Sequence, residues 1–298
     1  MDDLVCYNKV MKTEFIRFTT EDQLILQGLV YSPDVLSRKA FLHIHGMGGN
    51  FYENRFIDVM AEHITQAQQT FLSINTRGHD IVADFPIPGS EEKYRRIGNA
   101  YEKFEECIFD IKSAVDYLQK SGYEEITLCG HSLGAVKVVY YAAKTQDQRI
   151  KKLILMSPPD MVGLAEKESN HKDLLSQAEK MILGGKGGEL LPVKIWDYYY
   201  LSAYTYVDLN TRDKPVDIFN TYDKTKPSLI AEIKVPTLAF LGEKDDAAIL
   251  PQQEALELIK NKAINAPNFE IDIIEGASHS YFGREQLMAE RVVKWLLK

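Results

Sequence analysis

Ser132 stands in the pentapeptide Gly130-His131-Ser132-Leu133-Gly134, between the β-rich run "ITLC" and the helix-like run "AVKVVYYAA". A serine hydroxyl is a weak nucleophile until a base takes its proton. Glycines two residues before and two after it let a strand turn sharply into a helix, because a Cβ at either place would collide with the backbone. The hydroxyl then stands above the sheet, with the helix N-terminus directed at it. Such a nucleophile requires a base and an acid that orients the base. In this arrangement both follow the serine, each just past a later strand. "TLAFLGEKDD" puts Asp245 three residues beyond Gly242, and "IDIIEGASHSYFG" puts His279 three residues beyond Gly276. His279 is the last histidine of the chain. Asp246, beside Asp245, and Asp160, after "LILMSPP", are alternative acids. Ser132, Asp245 and His279 in this order point to acyl transfer through a serine ester.

That chemistry needs two backbone N–H groups aimed at the oxyanion of the tetrahedral intermediate. One is expected from Leu133, the residue after the nucleophile. The other is expected from Met47, in the loop "HGMGGNFYEN" that follows the early strand "AFLHI". The stretch His45-Gly46-Met47-Gly48-Gly49 resembles the His-Gly-rich loops of lipases and esterases. His45 is expected to prop this loop and His131 to pack beside the nucleophile.

The elements that must hold these residues alternate along the chain. "TEFIRF" and "LILQGLVYS" read as a hairpin. "AFLHIHG", "TFLSIN", "EITLCG", "KKLILMSPP", "VPTLAFLG" and "FEIDIIEG" read as buried strands. Helical patterns at 54–67, 100–122, 132–145, 251–262 and 284–298 lie between and after them. Strands alternating with helices of this length imply parallel β-α-β units, and continuous apolar runs imply a sheet covered on both faces. The rhythm breaks between Asp160 and Lys234. There "HKDLLSQAEKMILGG" looks helical, "GGKGG" reads as a flexible loop, and "WDYYYLSAYTY" is dense in aromatics. The chain thus divides into a core of residues 1–159 and 235–298 and an inserted lid of residues 160–234, expected over the same sheet edge as Ser132. Trp196 and Tyr200 are its candidate substrate-binding residues.

Composition narrows the possible partners. With 35 Lys and Arg against 43 Asp and Glu, the net charge is −8 and no basic block stands out, which argues against nucleic acid. Three scattered cysteines, Cys6, Cys107 and Cys129, suit neither a disulfide framework nor a zinc site. "MDDLVCYNKV" lacks the basic and apolar regions of a leader, and no apolar run reaches a membrane span. A cytoplasmic setting is the expectation.

From about residue 13 to 298 the chain resembles the α/β-hydrolase-fold serine hydrolases, on "HIHGMGG", "NTRGHD", "GHSLG", "LGEKD" and "GASHSYFG". "YEKFEECIFDIKSAVDYL" leading into "CGHSLGAVKVVYY" is similar to a subfamily that includes fungal siderophore esterases. The resemblance implies a mostly parallel, twisted sheet of about eight strands, helices on both faces and a small helical lid. It departs from the pattern at "NTRGHD", where many members have Asp-x-Arg-Gly-His-Gly. Arg77 in that loop is expected to hold the fold, with binding of a substrate carboxylate as its other reading. The function expected is hydrolysis of a carboxylic ester of small to medium size, with no metal or organic cofactor. An acyltransferase, or a peptidase or amidase, on the same triad is the alternative within enzymes. A non-catalytic binding protein of the same fold is the remote one.

Overall fold

In the first hairpin, β1 (Lys12–Thr19) pairs antiparallel with β2 (Ile25–Ser32), and β2 pairs antiparallel with β4 (Thr70–Asn75). Every other pairing of the main sheet is parallel. β3 (Lys39–Ile44) lies between β4 and β7 (Glu125–His131), followed by β8 (Ile150–Met156), β9 (Thr237–Gly242) and β10 (Phe269–Ile274). The order is β1-β2-β4-β3-β7-β8-β9-β10, a sheet of eight strands. A separate two-stranded ribbon, β5 (Asp84–Pro86) with β6 (Tyr94–Arg96), was not legible in the sequence. The computed structural model describes residues 11–35, 37–89 and 93–298. Cys6 and the N-terminal stretch on which the absence of a leader rested lie outside them.

Period-two alternation sorts the apolar strand residues to the two faces. Phe41, Phe71, Cys129, Ile154 and Phe240 face α1 (Arg55–Gln66) and α8 (Glu285–Leu296). Their neighbours Leu42, Leu72, Leu128, Leu155 and Leu241 face α2 (Cys107–Lys120), α3 (Leu133–Thr145) and α7 (Gln252–Lys262). Adjacent residues on each central strand are therefore both buried, which is why those strands read as continuous apolar runs. Cys107 and Cys129 are buried and unpaired. No helix among the described residues is long and apolar enough to cross a membrane.

The helix expected over 100–122 starts seven residues late, at Cys107, after a 3₁₀ turn at Phe104–Glu106. The residues before it bond elsewhere. The Ala100 carbonyl accepts from Ser202 N–H at 2.8 Å and the Glu102 carbonyl from the Thr205 hydroxyl at 3.1 Å. The Phe104 N–H donates to the Asp208 carboxylate at 2.7 Å. The Glu102 side chain is buried in an ion pair with Lys137 of α3, at 2.6 Å. Long-range partners thus claim groups that a helix would have used.

Between β8 and β9 run α4 (Met161–Lys167), α5 (His171–Leu183), α6 (Ala203–Asn210) and a 3₁₀ turn at Leu229–Glu232, joined by long irregular stretches. The "GGKGG" stretch begins with a defined turn. The Gly185 N–H bonds the Ile182 carbonyl at 3.0 Å and the Lys186 N–H bonds the Met181 carbonyl at 2.8 Å, with Gly185 at φ 75°. These two bonds form a Schellman cap that ends α5.

Candidate active site

Ser132 occupies the link between β7 and α3 at φ 55° and ψ −126°, a conformation that side chains other than glycine rarely adopt. The turn can be this tight only because of its flanking residues. A Cβ on Gly130 would lie 2.2 Å from the Gly134 carbonyl oxygen, and one on Gly134 would lie 2.3 Å from that of Ile44. The Ser132 N–H is tied to the Met156 carbonyl at 2.9 Å. The turn is therefore fixed to β8, and the hydroxyl faces the C-terminal edge of the sheet.

The loops after β9 and β10 meet at the same edge. His279 Nδ1 lies 2.8 Å from Asp245 Oδ1, and the Asp245 side chain is fully buried. Gly242 allows this meeting, since a Cβ there would stand 2.5 Å from the Ala277 carbonyl oxygen. Burial pushes the Asp245 carboxyl up, but the hydrogen bond and charge of His279 and the Ala247 N–H outweigh it. The carboxyl is held below its usual range. A carboxylate that accepts from Nδ1–H fixes the tautomer in which Nε2 is free to take a proton. The His279 backbone is pinned as well. Its carbonyl accepts from His131 Nε2–H at 2.9 Å and from the Ser157 hydroxyl at 3.3 Å, and Ser157 is bonded in turn to the Tyr281 hydroxyl at 2.7 Å. His131 packs beside the elbow as expected. Burial and its proximity to His279 push its pKa down to about 3, so it is neutral.

The alternative acids occupy other roles. Asp160 caps α4 through Gly163 N–H at 2.8 Å and binds the Thr221 hydroxyl at 2.8 Å and the Tyr222 N–H at 2.9 Å. Its carboxylate ties the start of the insertion to its far end. Asp246 is exposed at the rim. Donor atoms of Asp245, Asp246 and His279 lie within 4.8 Å of one another, the one grouping among the described residues with metal-ligand spacing. His279 Nδ1 is already engaged with Asp245.

The loop after β3 touches the elbow at Gly46, where a Cβ would lie 2.9 Å from that of Ser132. His45 props the loop. Its Nε2 accepts from the Thr76 N–H at 3.0 Å, which leaves Nδ1 as the donor to the Gly46 carbonyl at 2.7 Å. Burial holds His45 well below its ordinary pKa, so it is neutral. Among the described residues, no protein acceptor takes the Met47 or Leu133 N–H. Arg77 holds the fold. Its guanidinium and backbone N–H are taken up by Asp110, Asp22 and Glu106, with none left for a substrate.

Ser132, His279 and Met47 line one cleft of about 400 Å³, whose other walls include Met161, Leu164, Trp196 and Tyr199. That volume is within the range of small-molecule sites. The stretch between β8 and β9 and the elbow therefore share an edge. Of the two aromatics singled out in sequence, Trp196 lines the cleft and Tyr200 does not. Tyr200 is 41% exposed, with the Lys194 ammonium over its ring at 5.4 Å. Tyr199 takes its place and donates its hydroxyl to the Met47 carbonyl at 3.1 Å. The displaced register comes from two consecutive left-handed residues, Trp196 and Asp197, in a loop without periodicity, so nothing in "WDYYY" marked which tyrosine faces inward.

Comparison with known proteins follows the same lines. A model of the alpha/beta hydrolase fold family matches residues 39–283. No curated protein sequence matches the chain. Among solved structures, Est1E from Butyrivibrio proteoclasticus with ferulic acid bound is 21% identical at a TM-score of 0.68, over 94% of this chain and 97% of that one. Alpha/beta hydrolase GrgF from Penicillium sp. sh18 is 17% identical at a TM-score of 0.69, over 96% of this chain and 98% of that one. Esterase Pf2001 from Pyrococcus furiosus is 18% identical at a TM-score of 0.61, over 96% and 92%. The strand order, the glycine-flanked turn at Ser132 and a family match that spans most of the sheet lead to one assignment: the chain belongs to the alpha/beta hydrolase fold family.

Proposed function

We propose that this protein is a serine hydrolase that cleaves carboxylic esters through an acyl-enzyme, with Ser132 as nucleophile, His279 as base and Asp245 as the acid that orients it. The observation that carries this reading is the strained Ser132 turn opening on the same cleft as a His279 whose Nδ1 is held by a buried carboxylate. His279 Nε2 takes the proton as Ser132 Oγ attacks the acyl carbonyl, and the tetrahedral oxyanion is met by the N–H groups of Met47 and Leu133. His279 then protonates the departing alcohol. Water, activated by the same imidazole, attacks the acyl-enzyme, and the acid leaves with Ser132 restored. Asp245 stays ionised throughout and stabilises the imidazolium.

In the same reading residues 1–159 and 235–298 form the core and 160–234 form the lid. The lid's apolar contributions, Met161, Leu164 and Trp196, exclude water from one side of the acyl-enzyme. The test is labelling with a fluorophosphonate probe, read by intact mass, together with turnover of p-nitrophenyl acetate. Wild type should gain one adduct and hydrolyse the ester, and Ser132→Ala should do neither. An adduct on another residue, or turnover that survives in Ser132→Ala, would overturn the assignment.

A further inference from the structure

The loop after β3 contains a turn that a side chain from far along the sequence holds in place. The Gly49 N–H donates to the Gly46 carbonyl at 3.1 Å, and Gly48, third in that turn, has φ 59° while Met47 stays out of the left-handed region. A left-handed residue at the third position alone makes this a type II turn. The peptide at its centre joins Met47 to Gly48. A half-turn of that peptide converts type II into type I with little movement of either end, and glycine tolerates both forms.

Tyr199 stands against that flip. Its hydroxyl donates to the Met47 carbonyl at 3.1 Å, the one protein hydrogen bond to that oxygen among the described residues. Its ring lies on the turn as well, since a Cβ on Gly48 would come 3.1 Å from Tyr199 Cε1. Tyr199 is itself fixed. Its N–H donates to the carbonyl of buried Ile195 at 3.0 Å, and its carbonyl accepts from the Ile195 N–H at 2.7 Å. The Trp196 and Tyr198 rings meet the Tyr199 ring edge-on, with centroids 6.3 and 4.9 Å away. Burial pushes the phenol up to about 12, so it keeps its proton through the neutral range.

The Met47 N–H shares a Cα with the peptide that can swing, so its aim is steady only while that peptide is. An oxyanion donor is effective when it is already in place as the charge develops. Building on the hydrolase reading above, we propose that Tyr199 is a positioning residue for the oxyanion hole: its hydroxyl locks the Met47–Gly48 peptide in the type II form and so keeps the Met47 N–H aimed at the developing charge. The hydroxyl acts on the reaction through Met47. One of the two oxyanion donors thus depends on a partner 152 residues away.

The experiment is Tyr199→Phe, which keeps the ring and removes the hydroxyl. On p-nitrophenyl acetate kcat/KM should fall by about 3-fold or more. A pair of inhibitors separates aim at the oxyanion from fit of the ground state. Ser132 Oγ adds to the carbonyl of an alkyl trifluoromethyl ketone, its proton passes to His279, and the new oxyanion lies in the hole. The matched methyl ketone stays a planar carbonyl. In Tyr199→Phe the ratio of the two Ki values should shift by about 3-fold or more against the trifluoromethyl ketone. A smaller change in kcat/KM or in that ratio would overturn the clamp, and equal weakening of both ketones would make Tyr199 no more than a wall of the cleft. If Tyr199→Phe does not fold, Tyr199→Leu, which also lacks the hydroxyl, is judged by the same two readouts. Wild type that still takes the fluorophosphonate and cleaves p-nitrophenyl acetate when the clamp fails shows that the hydrolase reading stands without it. Wild type that does neither overturns both.

Discussion

Replacing Ser132 with glycine should make the protein more stable while abolishing its activity. Ser132 sits at φ 55° and ψ −126°, and a Cβ in such a region carries about 1–3 kcal/mol of strain. Glycine relieves that strain but gains freedom in the unfolded chain, which offsets about 0.5–1 kcal/mol. The Ser132 hydroxyl has no hydrogen-bond partner among the described residues whose loss would enter the sum. The net gain is about 0–2.5 kcal/mol, or up to about 4 °C in melting temperature for a chain of this length. Ser132→Ala keeps the Cβ and is the control that separates loss of the hydroxyl from relief of the backbone. Scanning calorimetry of the three proteins, with p-nitrophenyl acetate turnover beside it, gives both readouts. Ser132→Gly should melt above Ser132→Ala, and both should be inactive. If the glycine variant melts below the alanine variant, the elbow stores no strain. If either keeps more than about 1% of wild-type kcat/KM, the hydroxyl is not the nucleophile.

Asp245→Asn should lower kcat/KM by about 10²–10⁴-fold, since an amide donor facing His279 Nδ1 selects the wrong tautomer. Asp160→Asn should instead lose about 1–3 kcal/mol of stability by setting an N–H against the donors it now satisfies, and a larger activity loss there than at Asp245 would move the acid to the loop after β8. Gly130→Ala should destabilise by about 2 kcal/mol or more, because its Cβ meets rigid backbone, while Gly188→Ala, with open space around it, should stay within about 0.5 kcal/mol in a urea melt. Despite its burial, the hydrogen bonds and charge of Arg149 and the Tyr141 hydroxyl lower the Asp147 carboxyl from 3.8 to about 2. Its contribution is therefore present above about pH 3.8 and lost as pH falls through about 2, so the gap in urea midpoint between wild type and Asp147→Asn should narrow across that window. A gap that is constant or widens towards acid would count against the pairing.

The sheet and the elbow could be read from sequence because each rests on a local rule. Adjacent buried residues on the parallel strands leave an unbroken apolar run, and close backbone approach at Gly130 and Gly134 leaves glycines at fixed spacing. The meeting of Asp245 and His279 could be anticipated because each lies three residues past a glycine, Gly242 at the end of β9 and Gly276 two residues beyond β10. What escaped prediction depends on contacts between distant segments. The start of α2 was misplaced because Ser202, Thr205 and Asp208, about a hundred residues away, take the bonds of Ala100, Glu102 and Phe104. Tyr199 was passed over for Tyr200 because a left-handed pair, with no glycine to announce it, turns the loop by one residue.

Those same three bonds, from α6 and the residue before it to the segment ahead of α2, bear on how molecules enter and leave. A flap needs a hinge and a free edge, yet the stretch between β8 and β9 is stitched to the segment ahead of α2 near its middle as well as joined to the sheet at both ends. Its α6 amides should therefore exchange with deuterium as slowly as those of the central strands, and swinging open would break several bonds at once. Traffic to Ser132 would then pass through a standing mouth whose width sorts molecules by girth before any chemistry begins. Uptake on this scheme follows diffusion, with no slow opening step of the protein to wait for.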